Sequence, residues 1–198
     1  MARKVCSQCN RPEKVCICSF IPSIDNSVEV GIWQHPTEAN QVKGSAILAA
    51  LSLQNCSLWV GESLKELPQL NAWLLDDKPV YLLYPSTEQE KQVQLVSAVT
   101  LAQKKTANFK VLVLDGTWRK TFKMMQLNPA LKELPRVMIS PKGPSLYKIR
   151  KQKNAQSLST IEAIVSLLAE VENDTAKYNP ALQAFEEMQQ QQMAFRKT

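Results

Sequence analysis

Four of the five cysteines lie within 13 residues, in the pattern Cys6-x2-Cys9-x6-Cys16-x-Cys18. A tetrahedral zinc ion needs four soft ligands that tight turns bring together, and Asn10-Arg11-Pro12 offers such a turn. Dense cysteines in a reducing compartment favour a metal site over free thiols or a redox pair, and an iron–sulfur cluster is the other metal alternative. Because four thiolates leave no open coordination position, we expect structural Zn²⁺.

A second candidate group is Asp115-Gly116-Thr117-Trp118, which follows the apolar run 111–114. A turn with a capping Asp and a packing Trp would explain these residues equally well. Arg119, Lys120 and Lys123 place three cations beside the acid, which suits a phosphate-bearing substrate next to a group that handles a proton. The residues alone leave a turn and a reactive centre both open; Asp115 and Trp118 are the candidate catalytic residues of such a centre.

A long basic segment runs from Leu134 to Ile161, without Asp or Glu and with Tyr147 among its cations. Its cations are Arg136, Lys142, Lys148, Arg150, Lys151 and Lys153. The segment fits a solvated loop, and it fits an RNA backbone with a stacked base somewhat better. A second basic cluster, around the cysteines, contains Arg3, Lys4, Arg11 and Lys14. We predict two separate RNA contacts, with Arg119, Lys120, Lys142, Lys148, Arg150 and Lys151 as the RNA-binding residues of the main one.

Single residues and missing motifs narrow the chemistry further. His35 is the only histidine, so one chain cannot assemble a Ser-His-Asp triad, and a hydrogen-bonding role is favoured for it over catalysis. The nearby Glu38 favours a functional role for His35 only slightly.

Cys56 stands alone and is expected to be a buried apolar residue. The absence of GxxxxGK[ST], GxGxxG and paired carboxylates argues against nucleotide hydrolysis and glycosidase chemistry.

The elements that must position these residues alternate along the chain. Strands are predicted over 28–33, 57–60, 80–84, 110–114 and 136–139, and helices over 41–54, from Ser159 and, more weakly, from Pro180. Ser159 and Glu162 form a capping box, and the last helix is expected to be peripheral or at a subunit contact. Strands joined through helices pair in parallel, so the fold class is α/β, with ligands expected after Tyr84, Leu114 and Ile139.

Composition bounds the overall organisation. The 198 residues are 44% hydrophobic, which predicts one main domain with a small appendage. The net charge of +6 suits a phosphate-rich partner but also fits many proteins that bind none. The N-terminus lacks a secretory pattern and no apolar stretch is long enough to span a bilayer. We expect a cytoplasmic protein without membrane contact.

Taken in order, these motifs resemble those of DTW-domain proteins over residues 5 to 170. The set comprises the four cysteines, Gln34-His35-Pro36-x-Glu38, Leu82-Leu83-Tyr84-Pro85, Asp115-Gly116-Thr117-Trp118, Tyr147-x-Ile149-Arg150 and Leu158-Ser159-Thr160-x-Glu162-Ala163. One departure is Lys43-Gly44-Ser45, where the family often carries an Asn-Thr pair. The resemblance implies a zinc-binding knuckle over 1–25 and a catalytic domain over 26–198, with a SPOUT-like fold and a C-terminal trefoil knot.

The resemblance also implies an activity. Such proteins include tRNA-uridine aminocarboxypropyltransferases, which use S-adenosylmethionine to place a 3-amino-3-carboxypropyl group on N3 of a uridine and release methylthioadenosine. The implied cofactor-binding residues are Leu83, Tyr84, Pro85, Asp115, Gly116, Thr117, Leu158, Ser159 and Thr160, with Asp115 as the candidate base. The alternatives are an RNA methyltransferase with the same cofactor and a zinc-containing RNA-binding module without catalysis. We expect a monomer rather than a homodimer.

Overall fold

The computed structural model describes residues 4–85, 93–103, 108–139, 145–146 and 158–195. Its strands are β1 (Glu29–Gln34), β2 (Cys56–Val60), β3 (Val80–Leu83), β4 (Leu95–Ser97), β5 (Lys110–Asp115) and β6 (Arg136–Met138). Its helices are α1 (Ala46–Ser52), α2 (Pro68–Leu75), α3 (Ala98–Ala102), α4 (Trp118–Leu127), α5 (Ala130–Glu133), α6 (Thr160–Val171) and α7 (Thr175–Phe195).

The six strands form one sheet in the order β2-β1-β5-β3-β6-β4, and every ladder is parallel. The predicted α/β class with a parallel, helix-covered sheet is therefore confirmed. Five strands lie within one or two residues of their predicted bounds. The prediction missed β4, which has three residues and buries only Val96, because so short a strand leaves no periodic pattern to detect.

Alternate residues of the central strands feed two cores, one on each face of the sheet. Val111 and Val113 of β5 point to a large core that α1, α3, α6 and α7 cover. Leu112 and Leu114 point to a smaller core that α2, α4 and α5 cover. Because both faces are covered, β5 is buried along its whole length and reads in the sequence as a continuous apolar run.

The C-terminal helix is a core element, and its predicted peripheral position was wrong. Tyr178, Phe185 and Met188 of α7 are fully buried and belong to the large core. The polar residues that suggested a solvated tail make internal bonds instead. The Gln189 amide donates to the backbone oxygen of Leu146 at 3.0 Å, so glutamine in the sequence concealed the burial of this helix.

Two further sequence predictions concern segments next to the site. The helix predicted over 41–54 is shorter, because residues up to Gly44 form turns and α1 begins at Ala46. The trefoil knot stays a prediction, since much of the chain between β6 and α6 lies outside the described residues. Within the described residues, no helix combines the length and apolarity that crossing a membrane requires.

Candidate active site and metal centre

The four N-terminal cysteines form a compact sulfur cluster. The sulfurs of Cys6 and Cys18 lie 3.7 Å apart, as do those of Cys9 and Cys16. All four sulfurs fall within 4.8 Å of one another. Zinc–sulfur bonds of about 2.3 Å in a tetrahedron place sulfurs roughly 3.8 Å apart. The thiols are free rather than paired in disulfides, so the cluster could hold a metal ion by both spacing and donor chemistry.

The turn predicted at Asn10 shapes this cluster. Asn10 adopts φ 55°, a left-handed conformation that Asn tolerates well, and its N–H donates to the Cys6 oxygen at 2.9 Å. The backbone N–H groups of Cys9 and then Gln8 hydrogen bond the Cys6 sulfur, which lowers the pKa of that thiol to about 6. A thiolate is the form that binds a metal, so the turn prepares one ligand before any ion arrives.

Two arginines predicted near RNA are buried, and those predictions were wrong. Arg11 is 3% exposed and its Nη2 donates to the Gly44 oxygen and to the Met188 sulfur, both at 2.9 Å. Arg136 is fully buried, and its Nη1 donates to the Leu131 oxygen at 2.8 Å. Both guanidinium groups donate to acceptors inside the protein, so neither contributes to a surface for RNA.

Asp115 ends β5 and is the meeting point of three elements. Its carboxylate accepts from the Gln34 amide at 2.9 Å and from the hydroxyl of Thr160, and Thr160 is the first residue of α6. Its backbone oxygen accepts from the His35 N–H at 2.9 Å. The side chain is only 8% exposed. The carboxylate therefore ties the end of β1 and the start of α6 to the end of β5.

Gln34 is a site residue that the sequence analysis left without a role. It pairs with Asp115 in the β1–β5 ladder, so both side chains leave the same face of the sheet. The feature of the sequence that could have identified Gln34 is a polar residue at the end of an otherwise apolar strand, inside the motif Gln34-His35-Pro36.

The predicted capping box of α6 is present and extends beyond the helix. Ser159 Oγ accepts from the Glu162 N–H at 3.4 Å, and the Ser159 N–H donates to the Glu162 carboxylate at 2.8 Å. The same carboxylate also accepts from Ser145 Oγ at 2.9 Å and from the Leu146 N–H at 2.5 Å. Glu162 thus anchors residues 145–146 against the start of α6, beside Asp115.

Tyr84 and Trp118 stack on the opposite face of the sheet. Their ring centroids are 5.3 Å apart with an interplanar angle of 6°. Tyr84 is 6% exposed and belongs to the smaller core, while Trp118 is 56% exposed. Of the neighbouring predicted pocket residues, Leu83 at the end of β3 is half-buried and Pro85, beyond the strand, is exposed. Trp118 therefore has one covered ring face and a largely accessible remainder.

Gly116 lies close to the first turn of α4. Its φ is not positive, so the backbone conformation does not call for glycine. A Cβ there would lie 3.3 Å from Lys120 Cβ and 3.3 Å from the Thr121 methyl. Those contacts are tighter than ordinary van der Waals packing. The next residue, Thr117, begins α4 through its backbone, whose oxygen accepts from the Lys120 N–H at 2.8 Å.

The comparison with family models finds the DTW domain over residues 3–193. This chain belongs to the DTW domain family. Similar curated proteins are the tRNA-uridine aminocarboxypropyltransferases 2 of Macaca fascicularis and Drosophila melanogaster, both 28% identical, and tRNA-uridine aminocarboxypropyltransferase A of Arabidopsis thaliana, 24% identical.

The alignments cover 87%, 86% and 87% of this chain, and 58%, 68% and 74% of the three relatives in that order. The DTW-domain chain thus spans little more than half the length of the first of them. No solved structure matches it.

Two of the cations after the DTW residues are paired with acids. Lys120 Nζ lies 2.6 Å from Glu38 Oε1, and Lys123 Nζ lies 2.8 Å from Glu62 Oε2. Arg119 is exposed, and no carboxylate among the described residues forms an ion pair with it. Of the DTW domain's predicted RNA contacts, Arg119 is thus better placed for phosphate than Lys120.

His35 is a hydrogen-bonding residue, as the sequence analysis favoured. Its Nδ1 accepts from the Thr37 N–H at 3.2 Å, which assigns the proton of the neutral ring to Nε2, and Nε2 contacts the Glu62 carboxylate. The hydrogen bond from Lys123, and to a smaller extent the one with His35, hold the pKa of Glu62 below its usual value. Beside them lies an open cavity of about 440 Å³, lined by His35, Pro36, Thr37, Glu62, Ser63, Glu66 and Leu127.

Several predicted residues of the DTW domain lie outside the described residues. They are Arg3, Lys142, Tyr147, Lys148, Arg150, Lys151 and Lys153. The lone Cys56 is half-buried against the large core, and burial raises the pKa of its thiol to about 12. A thiol that stays protonated is a poor ligand, in agreement with the absence of a predicted role.

Proposed function

We propose that this DTW-domain protein transfers the 3-amino-3-carboxypropyl group of S-adenosylmethionine to N3 of a uridine in tRNA and releases methylthioadenosine. The observation that carries the proposal is the hydrogen bond from the Thr160 hydroxyl to the Asp115 carboxylate. It joins two cofactor segments that the sequence predicts separately. The relatives named tRNA-uridine aminocarboxypropyltransferases support the same activity.

Sheet geometry brings the third predicted segment to the same edge. Leu83 pairs with Val113 in the β3–β5 ladder, so residues 83–85 and 115–117 leave neighbouring strands at their carboxyl ends, where open α/β sheets bind ligands. Leu83 offers apolar surface on the Asp115 face of the sheet, whereas the Tyr84 ring lies on the opposite face under Trp118. The Asp115 carboxylate suits a positively charged ligand. We propose a cofactor site formed by Leu83, Tyr84, Pro85, Asp115, Gly116, Thr117, Leu158, Ser159 and Thr160.

S-Adenosylmethionine supplies a sulfonium, whose three attached carbons are electrophilic. In the proposed reaction uridine N3 loses its proton and bonds the aminocarboxypropyl carbon. That carbon's bond to sulfur breaks, and the electron pair stays on sulfur in methylthioadenosine. Orientation decides which carbon N3 meets. The chain's task is to bury the adenosine and the methyl group and to leave the amino-acid arm facing the RNA.

Two roles are proposed for Asp115, removal of the N3 proton and orientation of the amino-acid arm. Hydrogen bonds from Gln34 and Thr160 fix both carboxylate oxygens in place. A carboxylate held in one orientation is a suitable partner for the ammonium of the amino-acid arm. The local geometry therefore supports the orienting role more strongly.

RNA contacts complete the proposal. The exposed part of the Trp118 ring is suited to stack the target uracil, and Arg119 to bind phosphate. Lys120 reaches phosphate only if its pair with Glu38 opens. Lys142, Lys148, Arg150 and Lys151 remain proposed contacts from the sequence.

The remaining proposals concern the metal and the context of the chain. The sulfur cluster fits Zn²⁺ in a structural role, because four thiolates complete its coordination. Cys9 is buried in the large core, so an ion there would hold the N-terminal segment against the main domain. We also propose a SPOUT-like fold with a trefoil knot, a cytoplasmic location and a monomeric state, which the family resemblance and the composition support.

Nucleoside mass spectrometry tests the activity. tRNA incubated with the protein and S-adenosylmethionine, then digested, should contain a uridine carrying the aminocarboxypropyl mass. Asp115→Asn should abolish that product in either role. Cofactor affinity stays within a few fold if Asp115 only removes the N3 proton, and falls further if Asp115 holds the ammonium of the amino-acid arm. A methylated nucleoside would instead indicate a methyltransferase, and unchanged tRNA would indicate a binding module.

A further inference from the structure

Helix α4 presents two large exposed aromatic side chains, Trp118 and Phe122. Trp118 is 56% exposed and Phe122 48%. Residues four apart lie on the same helix face, about 6 Å apart along the axis. The buried side of the same helix is formed by other residues, Thr121, Met124 and Met125. Trp118 contacts the smaller core through Tyr84, whereas Phe122 is not part of that core.

The first of these rings is held in a defined orientation. Trp118 lies parallel to Tyr84, and Tyr84 is buried with the Arg136 guanidinium 5.8 Å from its ring centre. Arg136 is itself bonded to the backbone oxygens of Leu131 and Leu134 at 2.8 and 3.2 Å. A ring whose rotamer is already restricted loses little entropy when it stacks on a ligand.

Charge on α4 indicates which kind of partner these rings would meet. The helix carries Arg119, Lys120 and Lys123 and no Asp or Glu. Lys120 and Lys123 pair with Glu38 and Glu62, so Arg119 supplies the exposed positive charge beside the rings. A second copy of this chain placed face to face would bring like charges together, which disfavours self-association through this helix. Single-stranded RNA offers both unpaired bases for aromatic rings and phosphates for cations.

We propose that Trp118 and Phe122 form a two-ring platform for unpaired bases of the RNA, with Phe122 stacking a base next to the one that Trp118 contacts. Consecutive bases stacked on each other are about 3.4 Å apart, whereas the two residues are about 6 Å apart along the helix axis, a spacing that suits neighbouring bases that have separated. The assignment of Phe122 rests on the proposed function for the identity of the RNA as tRNA. It adds a substrate-binding residue beyond the DTW motif.

The test is equilibrium binding of fluorescently labelled tRNA to the full chain at one fixed salt concentration, without S-adenosylmethionine. Loss of one base–aromatic stack weakens binding by about 5-fold or more. Phe122→Leu, which keeps apolar bulk but removes the ring, should show that loss. Phe122→Tyr should stay near wild type. The control is Val99→Ala, because Val99 is similarly exposed, at 52%, on α3 across the sheet.

Stacking and phosphate contact are separated by the salt dependence of binding. Phe122→Leu should leave the slope of affinity against salt unchanged, because no charge is removed. Equal tRNA affinity of Phe122→Leu and wild type, with thermal unfolding unchanged in both, would overturn the platform. A wild-type dimer that Phe122→Leu dissociates would overturn it as well, by identifying this face as a subunit contact.

The outcome for Phe122 is distinguishable from that of the proposed function. Binding is measured without cofactor, so it does not depend on transfer. A chain that binds tRNA through Phe122 but never modifies it contradicts the activity and supports the platform. A chain that modifies tRNA, and whose tRNA affinity is undiminished by Phe122→Leu, supports the activity and contradicts the platform.

Discussion

At the scale of single residues, Asp115 ties three elements of the structure together. One oxygen of its carboxylate accepts from Gln34 and the other from Thr160. Hydrogen bonds to a charged group contribute about 1.5–3 kcal/mol each, so each donor has a measurable share in holding the carboxylate. The Thr160 hydroxyl is the easier one to remove without changing shape.

Thr160→Val is expected to reduce transfer by about 10- to 100-fold, the factor that corresponds to one charge-assisted hydrogen bond. The measurement is single-turnover transfer to tRNA as a function of pH. If Asp115 orients the amino-acid arm, the rate falls at every pH. If Asp115 is the base, loss of the donor makes it more basic and shifts the pH profile upward, which would contradict the orienting role.

Glu62 gives a residue-scale prediction about pH. Its pKa is lowered chiefly by Lys123, so the ion pair stabilises the fold above the unfolded-state pKa and is lost as pH falls through the folded-state value. The melting temperature of wild type should exceed that of Glu62→Gln at pH 7, and the difference should close below about pH 4. Glu66→Gln is the control, because Glu66 lines the same cavity without an ion pair. A difference that does not change with pH would exclude the ion pair as its source.

Residue types predicted the positions of candidate groups well where chemistry restricts spacing, and poorly where it does not. The cysteine cluster follows from four thiols in a short segment, and the place of Asp115 follows from an acid at the end of an apolar strand. Arg11 and Arg136 were assigned to the surface, but both are buried. The sequence alone does not show whether water or protein atoms surround an arginine. Gln34 was missed because its partner Asp115 is 81 residues away.

At the scale of elements, α6 links the candidate site to the C-terminal part of the chain. Its capping box was predictable from Ser159 and Glu162 alone, since both partners lie within one turn. The further bonds from Glu162 to Ser145 and Leu146 were not predictable, because they depend on where a distant segment returns. The misassigned α7 shows the same limit, since its burial depends on packing against α6.

Glu162→Ala is expected to destabilise the fold by about 2 kcal/mol, through the lost cap and the unsatisfied donors around it. For a chain of this size the melting temperature should fall by roughly 4–8 °C. Glu170→Ala is the control, because it changes the same residue type on the same helix away from the cap. Equal melting temperatures of Glu162→Ala and Glu170→Ala would show that the capping carboxylate does not stabilise α6.

At the scale of the whole molecule, the cysteine cluster connects the N-terminus to the core. Cys9 and Ile17 are buried with residues of α1, α6 and α7. Metal binding in such a cluster contributes directly to folding. The fold class followed from the alternation of strands and helices, whereas this packing depends on contacts between the two ends of the chain.

The proposed structural role of a metal in the cysteine cluster predicts the effect of its removal. The purified protein should contain one zinc per chain, Cys9→Ser should lose it and melt at a lower temperature, and Cys56→Ser should keep it. Transfer by Cys9→Ser molecules that remain folded should persist, since no step of the proposed reaction uses the metal. Loss of transfer with an unchanged melting temperature would assign the ion to catalysis instead.

The central claim concerns which carbon of S-adenosylmethionine reaches the RNA, and isotopic labelling measures it directly. One cofactor sample carries label in the methyl group and a second carries it in the carboxyl group of the methionine part. Incubation with this protein should transfer the carboxyl label to tRNA and leave the methyl label in methylthioadenosine. Methyl label in tRNA, accompanied by adenosylhomocysteine, would contradict the proposed transfer.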